Sequence, residues 1–228
     1  MAHTNTPILH HSITPSIRKH PMNRTLDQHV LRSLYKVSAF FDARKVGEVG
    51  ALGFRRSTDL LSLLGCLLGL LNEGHLIPGQ STFLDLGCAD GRVNALMSYL
   101  VKTSVGVELD EWTLEEYEPL KNALLEEMAR EDLISLPDNI FLFHGDSTDK
   151  QIHQEIFRKT GLSLGQFDLF YTYLVMHEEF ARLVAERAKK GALFMVYGLD
   201  RVLPRYEGLR LLSSPGPAGG IVAVYQKT

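Results

Sequence analysis

A chain of 228 residues, 45% hydrophobic, holds ample apolar matter for one buried core and is too hydrophobic to stay disordered. Its net charge of −3 excludes a global positive field of the kind that draws proteins to DNA or RNA, so no nucleic-acid partner is expected. The two cysteines, Cys66 and Cys88, form no CxxC pair, which excludes a cysteine zinc cluster and a disulfide framework and favours a reducing, cytoplasmic setting.

Residues 1–24 carry Arg18, Lys19 and Arg24, four of the nine histidines and no acidic residue. A basic, acid-poor leader suits an organellar targeting peptide, but Pro7, Pro15 and Pro21 oppose the amphipathic helix such a peptide needs. A disordered tail, or an upstream start with Met22 as initiator, is the expectation. Residues 25–56 are read as an N-terminal helical segment: Leu26, Val30, Leu34, Val37 and Phe41 form a helical stripe. Gly47, Gly50 and Gly53 then make a candidate lid or linker. From 57 to 228 the chain is read as one domain. Ser57-Thr58-Asp59 can cap a helix that runs to about Asn72. Its apolar run Leu60–Leu71 is shorter than the ~18–20 residues a bilayer requires, so no transmembrane segment is expected.

Strands are predicted at Thr82–Leu86, Ser104–Val107, Ile140–Phe143, Phe167–Tyr171 and Ala192–Tyr197. Between them lie helices after Arg92, over Leu114–Ile134, over Lys150–Lys159 and over His177–Lys190. Pro119 should kink the second of these or split off its first turn at Trp112–Glu118. Lys189-Lys190-Gly191 reads as a basic last turn followed by a glycine stop. Leu209–Leu212, the turn SSPGPAGG and Ile221–Gln226 resemble a hairpin-like pair. The fold class is therefore α/β: a Rossmann-like, doubly wound, mostly parallel sheet with helices on both faces and an antiparallel C-terminal strand.

In open parallel sheets, ligands bind beyond the carboxyl ends of the strands. The first strand runs into Asp85-Leu86-Gly87-Cys88-Ala89-Asp90-Gly91, whose small residues let a ligand approach the backbone. The second ends in Glu108, placed to accept two hydrogen bonds from a ribose diol. The third leads to Asp146, able to accept from an adenine amino group. The fourth ends in Tyr171-Thr172-Tyr173, over the reactive end of such a ligand. A nicotinamide site would carry GxGxxG facing a pyrophosphate; here Asp85 and Asp90 repel a pyrophosphate but suit an ammonium and a sulfonium. No GxxxxGK[ST] segment is present either.

These residues resemble the class I, seven-stranded S-adenosylmethionine-dependent methyltransferases, over about residues 57–228. The resemblance implies that Asp85, Gly87, Cys88, Ala89 and Gly91 form the loop under the methionine part of S-adenosyl-L-methionine, which leaves as S-adenosyl-L-homocysteine. It implies that Glu108, with Leu109 and Asp110 nearby, binds the ribose, and that Asp146 and Ser147 bind adenine. Ala89 departs from the family, which usually has glycine there. More narrowly, DLGCADGR, VGVELDEW, FDLFYTYLVMHEEF and GALFMVYG are similar to the small protein-lysine methyltransferases related to the one that modifies the ATP synthase c subunit. That implies a protein-lysine acceptor. A small-molecule acceptor and a non-catalytic cofactor-binding module are the alternatives.

Methyl transfer needs a nucleophile held ~3–3.5 Å from the methyl carbon and water excluded, without a metal. Tyr171 and Tyr173 are the candidates to orient the acceptor, and alternation along the strand is expected to turn only one of them to the ligand. His177 reads as a helix-start histidine rather than a base, and Asp90 as a cap for the following helix. Trp112 either covers adenine or packs at a helix start. Glu115, Glu116, Glu118, Glu126, Glu127 and Glu131 read as a solvated face, and Arg55-Arg56 as an exposed pair. No metal-ligand spacing is present. The acceptor should be chosen by Thr25–Ser57 and Arg201–Gly220, which bear no chemical signature, and the sequence is silent on oligomeric state.

Overall fold

A computed structural model describes residues 26–44, 49–50, 53–54, 57–199, 203–212 and 222–228. The tail of residues 1–24, Arg55-Arg56, the SSPGPAGG turn and half of the Arg201–Gly220 region lie outside the described residues. Of the candidate lid, only Val49–Gly50 and Gly53–Phe54 are described, as a short antiparallel ladder.

Helix α1 (Gln28–Asp42) starts at Asp27, whose carboxylate accepts from the His29 N–H. Its stripe of Leu34, Val37 and Phe41 is fully buried. Helix α2 (Leu60–Asn72) is capped twice: Asp59 accepts from the Ser62 N–H, and Asp42 at the end of α1 accepts from the Leu60 and Leu61 N–H groups. The double cap fixes the corner between the two helices by satisfying donors that a helix start otherwise leaves bare. Among the described residues no helix is long and apolar enough to cross a membrane.

The strands follow as β1 (Thr82–Asp85), β2 (Thr103–Glu108), β3 (Ile140–His144), β4 (Leu169–Tyr173), β5 (Leu193–Tyr197), β6 (Leu209–Leu211) and β7 (Val222–Lys227). They form one seven-stranded sheet in the order β3-β2-β1-β4-β5-β7-β6. The first five are parallel, and β7 runs antiparallel between β5 and β6. This is the doubly wound, mostly parallel sheet with an antiparallel final strand that the alternation of elements implied. Strand order reverses beside β1, so the β1 and β4 ends open a crevice at their carboxyl edge.

One apolar layer joins α1, α2 and α3 (Arg92–Met97) to the sheet through Leu67, Leu96, Phe83 and Tyr171. The other joins α6 (Lys150–Thr160) and α7 (His177–Arg187) to it through Ile156, Phe180, Phe170 and Phe194. Helix α1 is thus part of the same core as the sheet.

The long helix divides, as Pro119 implied, into α4 (Glu111–Glu115) and α5 (Tyr117–Arg130), with Pro119 in the first turn of α5, and it ends at Arg130 rather than Ile134. A missing N–H is harmless there, which is why the break falls before the proline. Helix α7 stops at Arg187 rather than Lys190, because Ala188 turns to extended backbone and Lys189 reaches down to Asp168 at 2.7 Å. Gly191, at φ 86°, is a turn residue leading into β5 and not a helix stop. Glu115, Glu118, Glu126 and Glu131 are exposed as their pattern implied, while Glu127 is half-buried and joins Glu131 in binding Lys36 of α1.

Candidate active site

The β1–α3 loop is shaped by its glycines and by one carboxylate. Gly91 sits at φ 73°, and a Cβ there would lie 2.6 Å from the Tyr117 ring, so only glycine fits. Ala89 also takes a left-handed conformation, at φ 47°. It is held there by Glu108 at the end of β2, whose Oε2 accepts from the Ala89 N–H at 2.8 Å and whose Oε1 accepts from the Asp110 N–H at 3.0 Å. Glu108 therefore ties the first two strand ends together while both its oxygens keep further lone pairs for a ligand.

Two cavities meet above the strand ends. The inner one, about 80 Å³, is lined by Thr58, Asp85, Gly87, Ala89, Tyr171 and Tyr173 among others. The outer one, about 360 Å³, is lined by Gly87, Glu108, Leu109, Asp146, Tyr173 and Met176 among others. Gly87 and Tyr173 belong to both, so the two form one bent cleft. Its size suits a ligand larger than a single ring.

At the inner end Asp85 is 1% exposed, and its one described partner is the Gly87 N–H at 3.2 Å. Burial pushes its carboxyl well above the usual range, and the neighbouring Glu108 and Asp90 push the same way. Among the described residues no cation binds it, so a bound ammonium would compensate its charge on ionisation. Asp90 does not share this role. Arg92 grips it with Nε at 2.9 Å and Nη2 at 2.8 Å, and both side chains are buried. The expectation that two carboxylates face the ligand is corrected to one, because Asp90 is neutralised within the protein. Its capping bond to the Arg92 N–H is long, at 3.3 Å. The Arg92 guanidinium also lies 5.6 Å from the Phe41 ring centre, which couples the loop to α1.

Tyr171 and Tyr173 lie on the same face of β4, both against the layer that holds α1 and α2. This corrects the expected division, since residues two apart on a strand point the same way. Tyr171 is buried and shares a hydrogen bond of 2.5 Å with Thr58 Oγ1. Burial first, then Asp85, raise its phenol well above the ordinary tyrosine range, so it stays protonated. Tyr173 is half-buried at the junction of the two cavities, its ring centre 5.6 Å from that of Tyr197. Thr58 was read from sequence only as part of a helix cap; Asp59 performs the capping, and that redundancy was the one available sign that Thr58 served elsewhere.

The outer end is apolar and open. Leu109 is 67% exposed and Val175 69% exposed, on opposite strand-end loops of the same cavity, with Met176 and Phe180 beside Val175. Asp146 lines it too, with Oδ1 accepting from the Thr148 N–H and hydroxyl, each at 2.7 Å. Ser147 lies in the wall, but its hydroxyl donates to the Leu86 carbonyl at 2.8 Å, which joins the β3 and β1 loops. Cys88 is buried with its thiol raised well above its ordinary value by desolvation, so it serves as an inert wall residue.

Three sequence candidates fall outside the cleft, and one of them, Gly91, lines neither cavity and packs against Tyr117 and Leu142. Trp112 is 81% exposed and lines neither cavity, so neither adenine cover nor helix-start packing is realised among the described residues. His177 Nδ1 is bound to the Tyr206 hydroxyl at 2.6 Å, away from the reacting end. Among the described residues no group of three or more His, Cys, Asp or Glu could hold a metal ion.

No protein-family model matches the chain, and no curated protein matches it in sequence. Among solved structures it is similar to an RNA methyltransferase from Salinibacter ruber in complex with S-adenosyl-L-homocysteine, at 18% identity over 76% of this chain and 93% of that one, with a TM-score of 0.46. It is also similar to YhhF, a candidate methyltransferase of Escherichia coli, at 15% identity over 79% of this chain and 91% of that one, with a TM-score of 0.48. The YcgJ protein from Bacillus subtilis matches at 15% identity over 58% of this chain and 51% of that one, with a TM-score of 0.38.

Proposed function

We propose that the chain is an S-adenosyl-L-methionine-dependent methyltransferase whose acceptor is a protein lysine. The observation that carries the cofactor reading is the bent cleft itself. It has at one end a buried acid with no cation partner among the described residues, a half-buried carboxylate at its bend, and an apolar slot with Asp146 at the other. Such an order of chemistry fits an ammonium, a ribose diol and an adenine in sequence, and the one cation among the described lining residues, Arg92, is held by Asp90. Asp85 would hold the ammonium, Glu108 the ribose hydroxyls, and Leu109 with Val175 the two faces of the base. S-Adenosyl-L-methionine supplies a methyl group already activated on a sulfonium, so no residue needs to act as a nucleophile.

The protein's own contribution is position and desolvation. Tyr173, at the junction, can accept a hydrogen bond from an incoming amine through its phenol oxygen. A lysine amine, with an ordinary pKa of about 10.4, must lose its proton before it can attack, and the apolar rim of Val175 and Met176 favours the neutral form. The lysine acceptor rests on the sequence resemblance together with this tyrosine; a small amine would use the same groups.

The reading is tested by calorimetric titration with S-adenosyl-L-homocysteine, S-adenosyl-L-methionine and NAD. Binding of both adenosyl ligands and not of NAD is expected. No binding of either at millimolar concentration overturns it. Incubation with methyl-labelled cofactor and a lysate, followed by mass spectrometry, is expected to place label on lysine. Label on small molecules alone rejects the lysine acceptor, and no label at all leaves a binding module.

A further inference from the structure

The two edges of the sheet are built differently. Strand β6 is three residues long with an exposed Arg210, whereas β3 runs for five residues, with four consecutive apolar side chains, Ile140–Phe143. Proteins blunt exposed edges with charges, prolines or bulges, and Ile140–Phe143 has none of these. Its pairing with β2 fixes which backbone groups are used. The Ser104 N–H donates to the Asn139 carbonyl and the Gly145 N–H to the Glu108 carbonyl, in a register that pairs Ser104 with Ile140 and Glu108 with His144. Alternate residues of a parallel ladder turn both backbone groups to the neighbour. Phe141 and Phe143 therefore face β2, while Ile140, Leu142 and His144 turn theirs outward. No described residue pairs with those outward groups. An open groove of about 540 Å³ runs beside the edge, lined by Ile140–Phe143 and by Glu155, Arg158 and Lys159 of α6.

We propose that β3 pairs antiparallel with β3 of a second copy of this chain, about a two-fold axis through Leu142, so that two sheets join into one. The edge is self-complementary in its backbone. Ile140 falls opposite the His144 of the other copy and Leu142 opposite its own equivalent, and each of these pairs exchanges both hydrogen bonds. It is also self-complementary in charge. Helix α6 runs antiparallel to β3, so the two-fold brings Glu155 of each copy toward Arg158 and Lys159 of the other. Glu155 and Arg158 now share only a 3.5 Å pair on an exposed face, which is free to re-form across the axis. A second copy satisfies both signs at once, which a purely acidic or purely basic strand does not. The half-buried Phe141 and Phe143 lose their remaining contact with water in the process. This inference is independent of the methyl-transfer reading.

Sedimentation equilibrium of the full chain across micromolar concentrations is expected to show a monomer–dimer equilibrium. Leu142→Pro removes an outward N–H without touching the ladder to β2, and should weaken the dimer by about tenfold or more. Glu155→Lys tests the same interface from α6, leaving the strand intact. It should weaken the dimer by placing like charges together, and adding Arg158→Glu and Lys159→Glu should restore it. In the dimer the amides of Ile140, Leu142 and His144 should exchange more slowly with solvent than in dilute monomer. A chain that stays monomeric overturns the proposal, whether the edge amides are open or protected by another segment of the same chain. So does a dimer that Glu155→Lys leaves unweakened.

Discussion

At the inner end of the cleft Thr58, Tyr171, Asp90 and Arg92 all have protein partners, whereas at the outer end Leu109, Val175 and Met176 face open space. The inner end is a polar frame around Asp85, an acid with no cation partner among the described residues. The outer end is a slot whose apolar walls regain contact only when something flat lies between them. Affinity should therefore be set electrostatically at the inner end and by buried area at the outer end. Glu108 stands between them and serves both, because it fixes Ala89 on one side and faces the outer cavity on the other.

The largest effect should come from breaking that link. Glu108→Ala removes the acceptor for the Ala89 and Asp110 N–H groups together with the proposed ribose contact. S-Adenosyl-L-homocysteine should bind about 10–100-fold more weakly, the equivalent of about 1–3 kcal/mol. Isothermal titration would show it, and an unchanged dissociation constant would remove Glu108 from the ligand.

Asp85→Asn should separate function from stability. An amide keeps an oxygen for the Gly87 N–H but loses the charge, so S-adenosyl-L-homocysteine should bind about tenfold more weakly. The ligand-free protein should instead gain stability at neutral pH. In the unfolded chain Asp85 ionises near its ordinary value of 3.8, while burial makes the folded protein hold that proton to higher pH. The folded state then binds more protons through that interval, and stability falls as pH rises from 3.8 toward the raised value. Asn has no such loss. Over the same interval, up to neutral pH, ligand affinity of the native protein should rise as Asp85 ionises. Melting temperatures with and without ligand across pH 4–7 check both signs; a variant less stable without ligand at pH 7 would mean the acid is compensated after all.

Much of this arrangement was legible in the chain. Strand number, the antiparallel final strand and the placing of Asp85, Glu108 and Asp146 at successive strand ends follow from the alternation of apolar runs with helical stripes. What escaped depended on contacts between distant residues or on a local competitor. Thr58 meets Tyr171 across 113 positions, and no periodicity reports such a pair. Asp90 has the pattern of a helix cap, and nothing local shows that Arg92, two residues on, folds back to grip it. The end of α7 was misjudged because Lys189-Lys190-Gly191 resembles a helix terminus, while Asp168 offered Lys189 a better partner outside the helix. The tyrosines of β4 were legible in principle, since a period of two puts Tyr171 and Tyr173 on one face.

The Thr58–Tyr171 pair tests how rigid the inner frame is. Thr58→Val strands a buried phenol without its partner and should lower unfolding free energy by about 1–3 kcal/mol in urea. Adding Tyr171→Phe removes the stranded hydroxyl and should recover most of that loss. If the double variant is no better than the single, the pair matters through packing rather than through its hydrogen bond.

Ala89→Gly should have the smallest effect, and it decides which group shapes the loop. Ala89 is held at φ 47°, where a side chain costs of order 1 kcal/mol. Glycine relieves that strain but adds conformational freedom to the unfolded chain, by about 0.4–1 kcal/mol. The two nearly cancel, so unfolding free energy should change by about 0.5 kcal/mol or less. Ligand affinity should stay within about threefold, because the Ala89 N–H keeps its Glu108 acceptor whichever side chain is present. A larger gain in affinity would mean that the alanine methyl itself narrows the inner cavity, whose wall it helps to form. Affinity within threefold would instead show that the glutamate, rather than the side chain at position 89, holds the loop's geometry.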